Sequence, residues 1–330
     1  MKDDSILDVP GLRVGHHTDL QAATGCTVVL CDRPMVGGCL VAGAAPGSRE
    51  TALLDSTCLV EVVHAVLLGG GSAFGLDAAA GVMRYLEENG CGFDMQVARV
   101  PIVPAAILFD LAVGDPKVRP GPEEGYRACQ AAAADSVQQG NVGAGTGATV
   151  GKALGPGYAM KGGLGSASVR LASGIVVGAL AAVNCAGDVV DPASGAIVAG
   201  ARHPGGQGFL DTARWLRGGG GALAVGGANT TIAVVATDAR LTKSHANRLA
   251  HLAYQGTAGS IRPITMFDGD TIFALASAQP EAREEDLSIL GAAAAEALAQ
   301  AILRGVTAAE SLLGYPAARD LAKGRVMSDE

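Results

Sequence analysis

Glycine punctuates this sequence at 48 of its 330 positions, about twice the usual ~7%. No Gly-x-y period accompanies it, so a collagen triple helix is excluded. Aromatic residues make up only 4% of the chain. Positions without a large side chain let backbones approach closely and turn sharply. That favours tightly stacked layers over a roomy ligand-holding barrel. Apolar residues reach 49% and charged residues only 17%, a balance that supplies a large core and argues against disorder.

Short β-branched runs alternate with alanine-rich stretches. Residues 26–31 (CTVVLC) and 39–44 (CLVAGA) read as two strands parted by a Pro/Gly turn, and 62–68 as a third. The third runs into Gly69-Gly70-Gly71-Ser72 and a helix over 76–88, stopped by Asn89-Gly90. Further helices are expected over 128–138, 242–255 and 281–304, and further strands over 175–184, 230–237 and 271–276. Residues 141–155 read as glycine-punctuated turns. Residues 199–221, closing on four glycines, read as a mobile linker. The pattern is sheet-dominated, with helices outside.

The net charge of −8, the absence of a basic block and the scarcity of stacking aromatics speak against a nucleic-acid partner. The start, MKDDSILDVPG, lacks a signal-peptide core, and the longest low-charge apolar stretch, 171–187, is shorter than the ~20 residues of a spanning helix. A soluble cytoplasmic protein without a membrane partner is expected. Seven cysteines without a Cys-x-x-Cys read as reduced, mostly buried thiols. The six histidines show no ligand spacing, and adjacent His16 and His17 would face opposite ways on a strand. Neither a metal nor another cofactor is expected.

Nucleotide motifs fail in detail. The only Gly-Lys candidate for a P-loop, Gly151-Lys152, is followed by Ala153 and has Thr146 where the first glycine belongs. Around residues 69–75, Phe74 occupies the third glycine position of a dinucleotide fingerprint, and no nucleophile elbow surrounds Ser72. The segment Gly226-Gly227-Ala228-Asn229-Thr230-Thr231-Ile232 differs, because it sets a hydroxyl at the first position of a strong strand after a glycine stretch. An N-to-O acyl shift needs such a hydroxyl next to the bond it cuts. Cleavage of Asn229–Thr230 would give Thr230 a free α-amine whose pKa, ~7.7–8.0, suits a general base near neutrality. Nucleophile and base would then share one residue. An ordinary strand-starting threonine has the same local pattern.

The segment GGANTTIAVVATDARLT, followed by FDGDTIFALA at 267–276, resembles the DmpA family of self-processing aminopeptidases and amidases, which includes the nylon-oligomer hydrolases. Further blocks in the same order carry the likeness: LDVPGLRVGHHTD at 7–19, PGSRETALLD at 46–55, LLGGGSAFGLDAAAGV at 67–82, GAGTGATVGKALGP at 143–156 and VNCAGDVVD at 183–191. The resemblance implies an α/β (α+β) chain folded as a four-layer αββα sandwich, of the type shared with ornithine acetyltransferases. It implies a single domain over 1–330, cut into 1–229 and 230–330.

It also implies roles. Thr230 is the nucleophile and Asn229–Thr230 the autocleavage bond. Lys152 is a nearby cation, with Lys161 a lesser candidate. Asn184 is an oxyanion donor, and Asp268 and Asp270 are an acidic pair beside the nucleophile. Two residues apart in extended chain, that pair would point the same way and hold the new ammonium or Lys152. The glycine loops 69–72 and 143–147 would border the cleft. The stretch 101–111 is apolar with Asp110 its only acid, which leaves a substrate amine without an evident anchor. The implied function is hydrolysis of peptide or amide bonds in small substrates by a homo-oligomer, a tetramer of processed heterodimers. The alternatives are acyl transfer of the ornithine acetyltransferase kind and an uncleaved, non-catalytic binding scaffold.

Overall fold

The computed structural model describes residues 4–221, 223 and 228–321. Gly226 and Gly227, the flexible turn read before Thr230, lie outside the described residues. The main sheet contains β1 (Leu12–Asp19), β2 (Thr24–Val41), β3 (Ser48–Arg49), β4 (Val62–Gly69), β5 (Ala105–Ile107), β6 (Gly163–Arg170), β7 (Val176–Asn184), β8 (Thr230–Arg240) and β9 (Thr271–Ser277). Their spatial order is β6-β7-β8-β9-β2-β4-β5-β3, with β1 also paired to β2. The helices are α1 (Ala78–Glu88), α2 (Pro122–Gln130), α3 (Thr212–Arg217), α4 (Lys243–Ser260) and α5 (Leu287–Ala308).

The two strands expected at 26–31 and 39–44 are the halves of one 18-residue strand, β2. Its pairing with β4 shifts between Leu30 and Met35, across the exposed Asp32-Arg33-Pro34. Proline cannot donate to a ladder, so the turn signal marks a bulge instead of a strand end. The first half of β2 lies between β1 and β4, and the second half pairs with β9. One long strand thus joins the two halves of the sheet.

Alternation along the strands divides the apolar residues into three cores. Ile232, Val234 and Ala236 face a central core with Val29, Val66, Leu180 and Phe273. Ala233 and Val235 face the other way, onto Leu249 and Ala253 of α4 and Ala294, Leu298 and Ile302 of α5. Val28 and Leu30 pack with Ala65 and Leu67 against Ala79 and Val82 of α1 and Ala128 of α2. Three cores between four layers make the αββα sandwich.

Small residues set the spacing. A Cβ on Gly256 of α4 would lie 2.1 Å from the Ala295 carbonyl oxygen of α5, so the helices cross at contact distance there. Although α5 is long and apolar enough to cross a membrane, 61% of its most apolar window is buried in the fold.

Two further expectations need correction. The helix read at 128–138 is α2 and ends at Gln130. Pro122 and the Glu124 carboxylate, accepting from Gly121 N–H at 3.0 Å, start it early. Ala133 then leaves the helix to bridge Val14 of β1. The stretch 199–221, read as a linker, contains α3 and a bridge between Arg202 and Phe209. Buried Asp188 ties it down by accepting from Ala201 N–H at 2.8 Å, Thr212 N–H at 2.6 Å and the Thr212 hydroxyl at 3.0 Å. An acid so engaged resists release of the segment.

Candidate active site

Thr230 is the first residue of β8, between antiparallel β7 and parallel β9. The register sets Asn184, the last residue of β7, directly opposite Thr230. On the other side Asn229 bridges Asp268 ahead of β9. The site is therefore built at the ends of three adjacent central strands.

The Thr230 hydroxyl donates to the Asn229 carbonyl oxygen, the acceptor of the bond between them. Gly269 N–H donates to the same oxygen at 2.8 Å. Asn229 is fully buried and Thr230 is 5% exposed. Among the described residues, neither the amide nitrogen nor the amide oxygen of the Asn229 side chain has a partner. A buried amide without partners is costly, so the residue before Thr230 is held in an unfavourable setting.

Lys152 and Asn184 form one unit. Lys152 Nζ donates to the Asn184 backbone oxygen and side-chain oxygen, each at 2.9 Å, and to the Ala228 carbonyl at 3.0 Å. Asn184 Nδ2 donates to the same Ala228 carbonyl at 3.2 Å and to the Phe109 carbonyl at 3.1 Å. Thr149 N–H donates to Asn184 Oδ1 at 2.9 Å, which fixes which way the amide faces. Burial pushes the Lys152 ammonium down to about 8. The lysine rides on Gly151, which has φ +69° and whose Cβ would lie 2.0 Å from Ala201 N. Only glycine fits there.

The acidic pair divides its contacts. Asp268 accepts from Ala186 N–H at 3.2 Å and from Thr265 through both its N–H, at 2.9 Å, and its hydroxyl, at 2.6 Å. Asp270 accepts from Thr231 N–H at 2.6 Å and the Tyr254 hydroxyl at 3.1 Å. The two carboxyls thus bond separate partners, Asp268 closing the turn that begins at Thr265 and Asp270 facing β8 and α4. They still repel: burial first, and the Asp268 charge second, push Asp270 up to about 7. With the 229–230 bond intact, neither carboxylate bonds Lys152 or Thr230 among the described residues.

Lys161 lies elsewhere. Its ammonium donates to the carbonyls of Gly145, Ala148 and Gly162, so all three protons hold backbone. Asp110 is 2% exposed. It accepts from Gly71 N–H at 2.7 Å and the Thr24 hydroxyl at 2.8 Å. A Cβ on Gly147 would fall 2.6 Å from Asp110 Cβ, so both glycine loops close around this acid. Its neighbour Phe109 touches Asn184 through its carbonyl.

Among the described residues no group of three or more His, Cys, Asp or Glu side chains is placed to hold a metal. All seven cysteines are free thiols. Sequence reading missed Thr149, Tyr254, Thr265 and the Gly269 N–H. Thr265 carried a signal, since a hydroxyl residue three positions from an aspartate commonly closes a local turn. The others act through the register or the backbone and left none.

The model of peptidase family S58 matches residues 4–319. An uncharacterized aminopeptidase of Mycobacterium tuberculosis is 45% identical over 97% of this chain and 98% of its own length. A 6-aminohexanoate-oligomer endohydrolase of Paenarthrobacter ureafaciens is 28% identical over 90% of this chain and 84% of its own. Among solved structures, the L-aminopeptidase D-Ala-esterase/amidase of Ochrobactrum anthropi, described as a variant of the Ntn hydrolase fold, superposes with a TM-score of 0.72. It shares 20% identity and covers 99% of this chain and 93% of that one. A β-aminopeptidase of Burkholderia superposes with a TM-score of 0.69 at 22% identity, covering 98% and 94%. With a family model spanning nearly the whole sequence and relatives alike from end to end, the chain belongs to peptidase family S58, the DmpA family of amide-bond hydrolases.

Proposed function

We propose that the chain cuts its own Asn229–Thr230 bond and then hydrolyses amide bonds of small substrates with Thr230 as an N-terminal nucleophile. One observation carries the reading. The Thr230 hydroxyl rests against the carbonyl of the preceding residue while Gly269 N–H grips that carbonyl at 2.8 Å. A donor on the acceptor oxygen stabilises the charge that develops as the hydroxyl attacks.

In the acyl shift, Thr230 Oγ1 bonds to the Asn229 carbonyl carbon and the C–N bond breaks. The departing nitrogen takes the hydroxyl proton and becomes the Thr230 amine. Water then splits the ester, its hydroxyl going to the Asn229 carboxyl and its proton returning to Oγ1. In each later turnover the free amine accepts the Oγ1 proton as the hydroxyl attacks a substrate carbonyl. It passes that proton to the leaving amine, and water resolves the acyl-enzyme. Lys152 Nζ and Asn184 Nδ2 already converge on one carbonyl, that of Ala228. Vacated by Ala228, the same two donors suit a substrate oxyanion. Asp268 supplies negative charge near Lys152, and Asp270, which accepts from Thr231 N–H, supplies it near the new ammonium.

The names of relatives support amino-acid amides, peptides and amino-acid oligomers as substrates. The assembly proposed is a tetramer of processed heterodimers, which light scattering checks. The central test is a denaturing gel with N-terminal sequencing. Wild type is expected as two fragments, the smaller beginning at Thr230, with T230A whole and inactive. A whole, inactive wild type contradicts the proposal.

A further inference from the structure

Tyr254 is the one residue of α4 whose contact with the site packing does not explain. Its ring leans on the core between the helices and the sheet, a task phenylalanine would perform equally. Its hydroxyl instead reaches Asp270 at 3.1 Å, and the other oxygen of that carboxyl accepts from Thr231 N–H at 2.6 Å. Thr231 follows the residue proposed as nucleophile. The chain of contacts therefore runs from the outer helical layer through one carboxyl to the backbone at the start of β8.

Resting on the function proposed above, we infer that Tyr254 is a positioning residue. Its hydroxyl holds Asp270 as the carboxylate that fixes Thr231, and with it Thr230, for the acyl shift. Two donors, one per oxygen, favour the ionised acid over the neutral one. Burial and the Asp268 charge act the other way. The groups facing Asp270 are few. Its own loop presents Asp268, β8 presents Thr231 N–H and α4 presents Tyr254. Beyond β7 lies the Cys185 thiol, kept protonated by burial first and by Asp268 second. The Lys152 ammonium feels the Asp268 charge. The segment after β2 contributes only backbone, Ala42 and Gly43 N–H donating to the Asp270 carbonyl. No cation bonds Asp270 among the described residues, so the tyrosine hydroxyl is its one side-chain donor.

The experiment needs no substrate, because self-cleavage is the readout. The chain is made by cell-free translation, and cleavage is followed on denaturing gels from about pH 5 to about pH 9, a range that brackets the expected titrations. Tyr254→Phe is expected to move the acid limb of the rate up by about one pH unit, the scale of one hydrogen bond to a charged group. Below the limb the variant should cut about tenfold more slowly than wild type. Above it the rates should converge. Tyr254→Leu, which also removes the ring, should move the same limb as far. A Phe variant whose profile superposes on wild type overturns the inference, as does a Leu variant that alone is slow, equally at every pH. In either case a wild type still cut at Thr230 leaves the proposed function standing. A wild-type chain that stays whole overturns both.

Discussion

At the scale of single residues, chemistry here is set by burial working on few charges. The proposed self-cleavage would precede any free α-amine, so its pH dependence should carry only groups present in the uncut chain. Asp270, pushed up to about 7, must lose its proton to act as an anion, so the rate should fall as pH drops through that value. Lys152, pushed down to about 8, must keep its proton to act as a cation, so the rate should fall as pH rises past it. A narrow bell is expected on gels, with limbs belonging to the coupled site as a whole. A rate still rising well above pH 8 would rule out the lysine cation. Asn184→Ala removes the proposed oxyanion donor and frees a contact of Lys152, so turnover by the processed enzyme should drop on the order of 10²-fold with less change in KM. A loss under threefold would remove Asn184 from the role. The residue types of this site were legible in the ordered sequence blocks. Their connections were not, because Asn184 meets Thr230 only through strand register and Gly269 contributes only backbone.

At the scale of elements, hydrophobic runs identified the central strands well, since β7, β8 and β9 are buried along nearly their whole length and read as continuous apolar stretches. Local signals failed where tertiary pairing overrode them. Pro34 looked like a strand end but sits at a bulge of β2. The alanines after Gln130 looked helical but are drawn into a bridge with β1. β6, mostly glycine and serine in its first half, gave no strand pattern at all. Its smallness has a packing reason, since a Cβ on Gly165 would lie 2.1 Å from the Ala301 carbonyl of α5. The α4–α5 crossing at Gly256 has the same character. Gly256→Val should destabilise the fold by about 1–3 kcal/mol through overpacking, measured as a lower denaturant midpoint. An unchanged midpoint would mean that the helices can part without loss.

At the scale of the whole molecule, the strands downstream of the proposed cut are interior. β8 and β9 lie side by side in the sheet, held by β7 on one edge and β2 on the other, both from upstream. The processed pair should therefore stay together through gel filtration. After denaturation it should recover at a rate that depends on protein concentration, while uncut T230A recovers independently of it. Equal, concentration-independent recovery of both would mean that the pieces never separated. The layered architecture was legible through resemblance and composition, but this interleaving was not, because strand order leaves no trace in a single sequence. It also ties the cut to assembly. Lys152, Asn184, Thr230 and Asp270 come from segments far apart along the chain and converge only once β7, β8 and β9 are in register. A chain with its central strands slipped by one residue would turn the Thr230 hydroxyl to the wrong face and stay whole. The proposed break at Asn229 would thus act as a seal stamped at the end of assembly, so that counting cut molecules would count correctly built ones.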